Sequence, residues 1–183
     1  RQILAFSKPQ AAEHGTCSVP AVIEESVQLL RASLPAGIEL KTRIAPDTPT
    51  IIADSTQLQQ ALVNLCTNAW HAMQDRSGGR IDISLNAREI DAAAAQELTE
   101  LSPGKYVELT VSDTGEGIDA AIIKKIFEPF FTTKAPGLGT GLGLSVVRSI
   151  VCGHGGTITV TSQPGEGTTF RIYLPVAVCV ASL

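Results

Sequence analysis

Apolar and polar residues alternate along five stretches of this chain. Residues 37–46, GIELKTRIAP, set Ile38, Leu40 and Ile44 on one side and Glu39, Lys41 and Arg43 on the other. That period of two belongs to a strand with one buried face. RIDISLN (80–86), YVELTVSD (106–113), GTITVTS (156–162) and TTFRIYLP (168–175) repeat it. Elsewhere the spacing lengthens to that of helices. PAVIEESVQLLRASL (20–34) carries Pro20 in the first turn, where a missing N–H costs nothing. Residues 54–75 predict the longest helix, with Asp54 and Ser55 as cap candidates. AAIIKKIF (120–127) and LSVVRSIVCGH (144–154) predict two more, and about 87–104 reads as a loop with a helical piece. RQILAFS (1–7) reads as the end of a helix and residues 8–18 have linker composition. The expected organisation is therefore 1–15 helix end and linker, 16–176 one domain, and 177–183 a tail without strong signal. Strands and helices segregated in this way predict an α+β, two-layer sandwich: a mixed sheet with helices on one face.

Composition narrows this only slightly. With 183 residues, 44% of them hydrophobic, the chain can bury a real core. A net charge of -4 argues against nucleic acid or an anionic membrane as partner. No apolar run reaches the roughly 18 residues of a spanning helix. No signal peptide opens the chain, and its first residue is Arg1, which predicts a piece of a longer protein. Cys17, Cys66, Cys152 and Cys179 lack C-x-x-C spacing, which predicts reduced structural thiols in the cytoplasm.

The phase of the strands carries the first candidate chemistry. In YVELTVSD, Asp113 falls in phase with Val107, Leu109 and Val111, and so points toward the core. In TTFRIYLP, Thr168 is in phase with Phe170, Ile172 and Leu174. An inward carboxylate needs a partner. An adenine ring supplies an amine for it and apolar faces for its surroundings, whereas guanine presents a carbonyl there. Gly115 and Gly117 of DTGEGI would let the backbone approach the ring edge. The alternative is a plain acidic cap at the strand end, with Asp119 starting the next helix.

Two further groupings follow. Asn64 and Asn68 lie one turn apart on the long helix, with His71 three residues on and Leu58, Leu62 and Leu65 opposite. Two amide oxygens so spaced suit a hard cation such as Mg²⁺, while a solvated helix face explains them equally well. In KAPGLGTGLGLSVV, Gly137, Gly139, Gly141 and Gly143 precede a helix, an anion-binding arrangement to which Lys134 adds charge. PGEGTTF by itself predicts a hairpin turn. His14 and His154 are assigned to the linker and a helix end, and Lys124, Lys125 and Arg148 to the surface.

Taken in order, these segments resemble the catalytic ATP-binding domain of two-component sensor histidine kinases, in the superfamily shared with gyrase-type topoisomerases and MutL proteins. NLCTNAWHAM is similar to the family's N box, DTGEGI to its G1 box, FEPFFTTK to its F box, GLGTGLGLSVV to its G2 box and GEGTTF to its last glycine motif. The resemblance covers about residues 16–176, and ILAFSK is similar to the close of the dimerisation helix. It implies a Bergerat-type ATP-binding fold with ATP and Mg²⁺. Asp113 would accept from the adenine amine near Gly117 and Thr168, and Asn64 and Asn68 would hold Mg²⁺. His71, where the family often has lysine or arginine, would contact phosphate. Lys134 with the amides of Gly139, Thr140, Gly141, Leu142 and Gly143 would cover the triphosphate, beneath a lid at 127–140. Ala72, Gly115, Ile118, Phe131 and Leu144 complete the implied site.

Two departures bear on the chemistry. ATP-hydrolysing relatives place a glutamate four residues before the second N-box asparagine, and here that position is Asn64, an amide that cannot act as a general base. The family's phosphoacceptor histidine has no counterpart in residues 1–18. The resemblance thus implies a kinase fragment whose partners are the dimerisation domain of the same protein, a homodimer in the parent, and a response regulator receiver domain. A nucleotide-binding regulatory module or a serine kinase of the anti-sigma-factor type is the alternative. A Rossmann reading of GEGIDA fails because no strand follows the short helix before the FEPFF segment and Asp113 would crowd the pyrophosphate, and a P-loop reading fails because G-x-x-x-x-G-K-[ST] is absent.

Overall fold

The computed structural model describes residues 15–74, 78–98, 101–133 and 140–177. Its elements run β1 (Gly15–Cys17), α1 (Val19–Ser33), β2 (Ile38–Ile44), β3 (Ile51–Ala53), α2 (Ser55–His71), β4 (Gly79–Ile90), α3 (Ala92–Glu97), β5 (Gly104–Asp113), α4 (Gly143–Gly153), β6 (Thr157–Gln163) and β7 (Gly167–Pro175). Five strands form a mixed sheet in the order β2-β4-β5-β7-β6, with β2 parallel to β4 and every other pair antiparallel.

Register turns the sequence alternation into rows. Ile83 of β4, Val111 of β5, Phe170 of β7 and Val160 of β6 face one another across the sheet, and Leu85, Leu109, Ile172 and Ile158 form the next row. Against this face pack α1, α2 and α4, which bury Ile23, Leu62, Leu65, Val147 and Val151 almost completely. Each such side chain contributes about 1.5–3 kcal/mol of burial. Asp54 caps α2 as expected, its Oδ1 accepting from the Thr56 and Gln57 amides at 2.9 and 3.2 Å. The two-layer α+β architecture is the one that the patterning predicts. The small α3 closes a second cluster, in which Ile90, Tyr106 and Tyr173 lie out of phase with the main core.

Three stretches differ from the expectation. The stretch 120–127 is a run of turns, in which the Ile122, Lys125 and Glu128 amides donate to the carbonyls of Asp119, Ile122 and Lys125. Ile126 is its one fully buried side chain, with Phe127 packed partly against the core beside it, and two neighbouring anchors do not offset the cost of nucleating so short a helix. Residues 15–17, with linker composition, form β1 and pair antiparallel with β3, a strand that the alternation did not reveal. Residues 87–90 prolong β4 rather than joining the loop, because Ala87 to Ile90 find partners in β5 from Val107 back to Gly104. The helix end expected at 1–7 lies outside the described residues. Among the described residues no helix is long and apolar enough to cross a membrane.

Candidate functional site

At one end of the sheet the apolar rows give way to a polar one. Ile81 of β4 faces Asp113, Asp113 faces Thr168 of β7, and Thr168 faces Ser162 of β6. Directly paired residues share a face, so all three polar side chains stand on the helix-covered side. Asp113 is 7% exposed and Thr168 is 4% exposed, which makes the inward orientation of both a finding. Asp113 Oδ1 accepts from the Gly115 amide at 2.8 Å and the Thr168 amide at 3.3 Å. Two N–H groups converging on one oxygen fix the carboxylate as an acceptor at the rim of the core.

The loop after β5 is folded back by contacts at both ends. The Glu116 amide donates to the carbonyl of Ala72, just past α2, and the Thr114 amide to that of Arg80. A methyl group on Gly115 would meet Ala72 Cβ at 2.7 Å and Asp113 Oδ1 at 2.8 Å. Gly117 has φ +75 and would press such a group into the Gln163 carbonyl at 2.0 Å. Both glycines are therefore required by the protein's own packing, against α2 and against the β6–β7 turn. The Ile118 amide donates to Ser162 Oγ at 2.8 Å. Ser162 is a site residue that the sequence reading missed, although it is in phase with Ile158 and Val160 just as Thr168 is with Phe170.

The asparagine stripe of α2 faces α4, not open solvent. Asn64 Nδ2 donates to the Gly143 carbonyl at 3.4 Å, and both Asn64 and Asn68 are half-buried. A methyl on Gly143 would lie 3.6 Å from Asn68 Nδ2. The first turn of α4 follows Leu142, which offers no side-chain cap. The start of α4, whose leading N–H groups have no partner within the helix, therefore lies beside the two amides. His71 is half-buried at the end of the same helix, its ring stacked on Trp70 with centroids 4.8 Å apart. The structure accordingly brings Gly115 and Gly143 against the α2 stretch that carries Asn64, Asn68, His71 and Ala72, and sets Asp113, Thr168, Gly117 and Ile118 along the sheet-end row beside β6 and β7.

The remaining residues lie at the rim. Ile118, Phe131 and Leu144 pack partly into the main core. Thr140 is exposed, with its Oγ1 accepting from the Leu142 amide at 3.4 Å. Gly141 has φ +65, and its carbonyl accepts from the Phe130 amide at 2.9 Å, tying the F-box segment to the start of α4. Phe127 meets the Phe170 ring edge-on at 6.3 Å, with the Arg148 guanidinium 5.9 Å from its centroid. Lys134 and Gly139, with the middle of the expected lid, lie outside the described residues. Among the described residues no three His, Cys, Asp or Glu side chains cluster as a metal centre. The donor set here is amides, which fits Mg²⁺ shared with phosphate oxygens and water.

His154, read as an unremarkable helix end, is buried. Its Nε2 accepts from the Asp54 amide at 3.0 Å and its Nδ1 lies 2.7 Å from the Ile150 carbonyl. A carbonyl can only accept, so Nδ1 carries the proton and the ring is neutral. It joins the end of α4 to the start of α2, the two helices that carry the site.

Residues 53–178, more than half of the chain, match the family profile of histidine kinase-, DNA gyrase B- and HSP90-like ATPases. The chain belongs to this family, as a catalytic ATP-binding domain of the sensor histidine kinase kind. It is 44% identical over 177 residues to the sensor kinase CckA of Brucella abortus, covering 96% of this chain and 18% of that protein. It is 38% identical over 176 residues to the sensor histidine kinase ZraS of Escherichia coli K12, covering 96% and 34%. The chain thus spans between 18% and 34% of these relatives' lengths. Among solved structures it is similar to the catalytic domain of histidine kinase ThkA, with TM-score 0.70 and 28% identity over 89% of this chain and 95% of that one. Full-length ShkA in complex with AMPPNP aligns with TM-score 0.71 and 27% identity over 93% of this chain and 33% of that one.

Proposed function

We propose that this chain positions Mg-ATP for transfer of the γ-phosphoryl group to a histidine on the dimerisation domain of its parent protein. A response regulator receiver domain then takes the phosphate. The observation that carries this reading is the polar row of Asp113 and Thr168 at the end of an otherwise apolar sheet face. In this reading Asp113 accepts from the exocyclic amine of adenine, and Ile118 and Leu144 wall the ring. The uncapped first turn of α4, with Thr140 to Gly143, Lys134 and Gly139, receives the phosphates, and His71 adds a contact from α2. Phe131 anchors the lid segment beside them.

Asn64 and Asn68 would hold Mg²⁺ through their amide oxygens. Because Asn64 Nδ2 donates to Gly143, its oxygen is the atom left for a cation. The ion supplies charge neutralisation for the transferring group. The chain's own residues hold the triphosphate, orient it and exclude water. No carboxylate stands at position 64 to activate water, which favours transfer over hydrolysis. The bond from the γ-phosphorus to the bridging oxygen breaks, a phosphorus–nitrogen bond forms on the acceptor histidine, and ADP leaves. Since ATP is a cytoplasmic metabolite, the domain works on that side of the membrane, whether or not the homodimeric parent is anchored there.

The test is to mix this chain with the separately expressed dimerisation helices of its parent and labelled ATP. Acid-labile phosphate on the helices is the expected result. Acid-stable phosphate on a serine, or none at all, contradicts it.

A further inference from the structure

The hydroxyl of Ser162 lies close to three groups. The Ile118 amide is 2.8 Å away, the Gly167 carbonyl 2.9 Å and Thr168 Oγ1 2.9 Å. A serine hydroxyl has one hydrogen and two lone pairs, so these contacts admit one arrangement. The Gly167 carbonyl has no hydrogen and must receive that of Ser162, since two oxygens at this distance without a hydrogen between them repel. The Ile118 N–H then occupies one lone pair of Ser162. The second lone pair accepts the hydrogen of Thr168.

The consequence falls on Thr168. Its only side-chain hydrogen is turned along the row toward β6, away from Asp113 on β5. Thr168 Oγ1 therefore presents lone pairs, not a donor, beside a carboxylate whose Oδ1 is fixed by two backbone amides. A threonine hydroxyl rotates freely when nothing holds it, and it would serve a carbonyl as readily as an amine.

We propose that Ser162 is a positioning residue for base selection. By holding the Thr168 hydrogen it makes this end of the row acceptor-only, so the site takes a purine with an exocyclic amine, or a water donating from that edge, and rejects a purine with a carbonyl there. The same hydroxyl fixes Gly117 and Ile118 against β6. The inference rests on the adenine reading of Asp113 and adds to it a second residue, one that need not touch the base.

The experiment compares ATP and inosine triphosphate, which differ in having amine or carbonyl at this edge, by calorimetry on the full chain with Mg²⁺. Ser162→Thr and Ser162→Val are the informative pair, nearly identical in shape and both suited to a strand. The expected result is that Ser162→Thr keeps the parent's preference for ATP, while Ser162→Val lowers the ratio of the two affinities about tenfold, the worth of one hydrogen bond. In a Thr168→Val background the Ser162→Val effect on the ratio disappears, because the residue through which it acts is gone. Ser162→Ala repeats the measurement if the valine variant does not fold. An unchanged ratio in Ser162→Val or Ser162→Ala overturns the proposal, as does equal loss of both nucleotides. Asp113→Asn separates this from failure of the underlying reading. If it abolishes the preference while Ser162 variants do not, the adenine site stands and only the role of Ser162 falls. If the parent chain binds neither nucleotide, both fall together.

Discussion

Replacing Asp113 by asparagine changes one atom of the site and leaves its size alone. In the structure Oδ1 accepts from the Gly115 and Thr168 amides. Asparagine satisfies both by turning its own oxygen to them, and the reverse orientation would set an NH₂ group against two N–H donors. The substitution therefore keeps the loop closed and places a donor where the other carboxylate oxygen stood. A charge-assisted hydrogen bond to a ligand amine is worth about 1.5–3 kcal/mol, so ATP affinity should fall by roughly 10- to 150-fold. Inosine triphosphate, with a carbonyl at that edge, should lose less or gain. Asp113→Ala differs in kind, because it strands two buried N–H groups at about 1–3 kcal/mol each and should lower stability as well as affinity. Calorimetric titration with both nucleotides, alongside urea unfolding of each variant, separates these effects. A natively stable Asp113→Asn chain that binds ATP as the parent does would show that Asp113 makes no bond to the adenine amine.

Three further outcomes are expected. Asn68→Ala should remove the Mg²⁺ dependence of ATP binding while sparing adenosine; equal losses of both would make Asn68 a packing residue only. His154→Ala leaves the Asp54 amide without its acceptor and removes one tie between the end of α4 and the start of α2, so urea unfolding should show a loss of about 1–3 kcal/mol, and a change under about 0.5 kcal/mol would refute the link. Burial pushes the Cys66 thiol from 9.0 up to about 12. A folded value above the unfolded one means that this contribution is intact below about pH 9 and falls by about 1.4 kcal/mol per unit as pH rises toward 12. Cys66→Ala should flatten that alkaline slope in urea midpoints, with Cys17 and Tyr173, also raised by burial, supplying what remains. An unchanged slope would contradict it.

What the sequence disclosed follows from which contacts are local. Strand phase alone turned Asp113 and Thr168 inward, and the structure agrees. The same rule applied to Ile158, Val160 and Ser162 would have found Ser162, but its meaning depends on a register set by the β6–β7 turn. His154 gave no such signal. Its partner is the Asp54 amide, a hundred residues away in sequence, and periodicity carries nothing about such a pair. The short helix expected at 120–127 matched a helical period because Ile122, Ile123, Ile126 and Phe127 are spaced for one. The fold instead anchors that stretch at single points, Ile126 and the Phe127 contact with Phe170. Gly115 and Gly117 were legible as necessary glycines, yet what demands them in the folded chain is Ala72 and Gln163.

A crystal structure of this chain with a non-hydrolysable ATP analogue and Mg²⁺ would locate the base relative to Asp113. The purine amine is expected within about 3 Å of the Asp113 carboxylate, a hydrogen-bond distance, with the ring lying at the open end of the Asp113–Thr168–Ser162 row. A base bound elsewhere, or that carboxylate turned to bulk water, would contradict it.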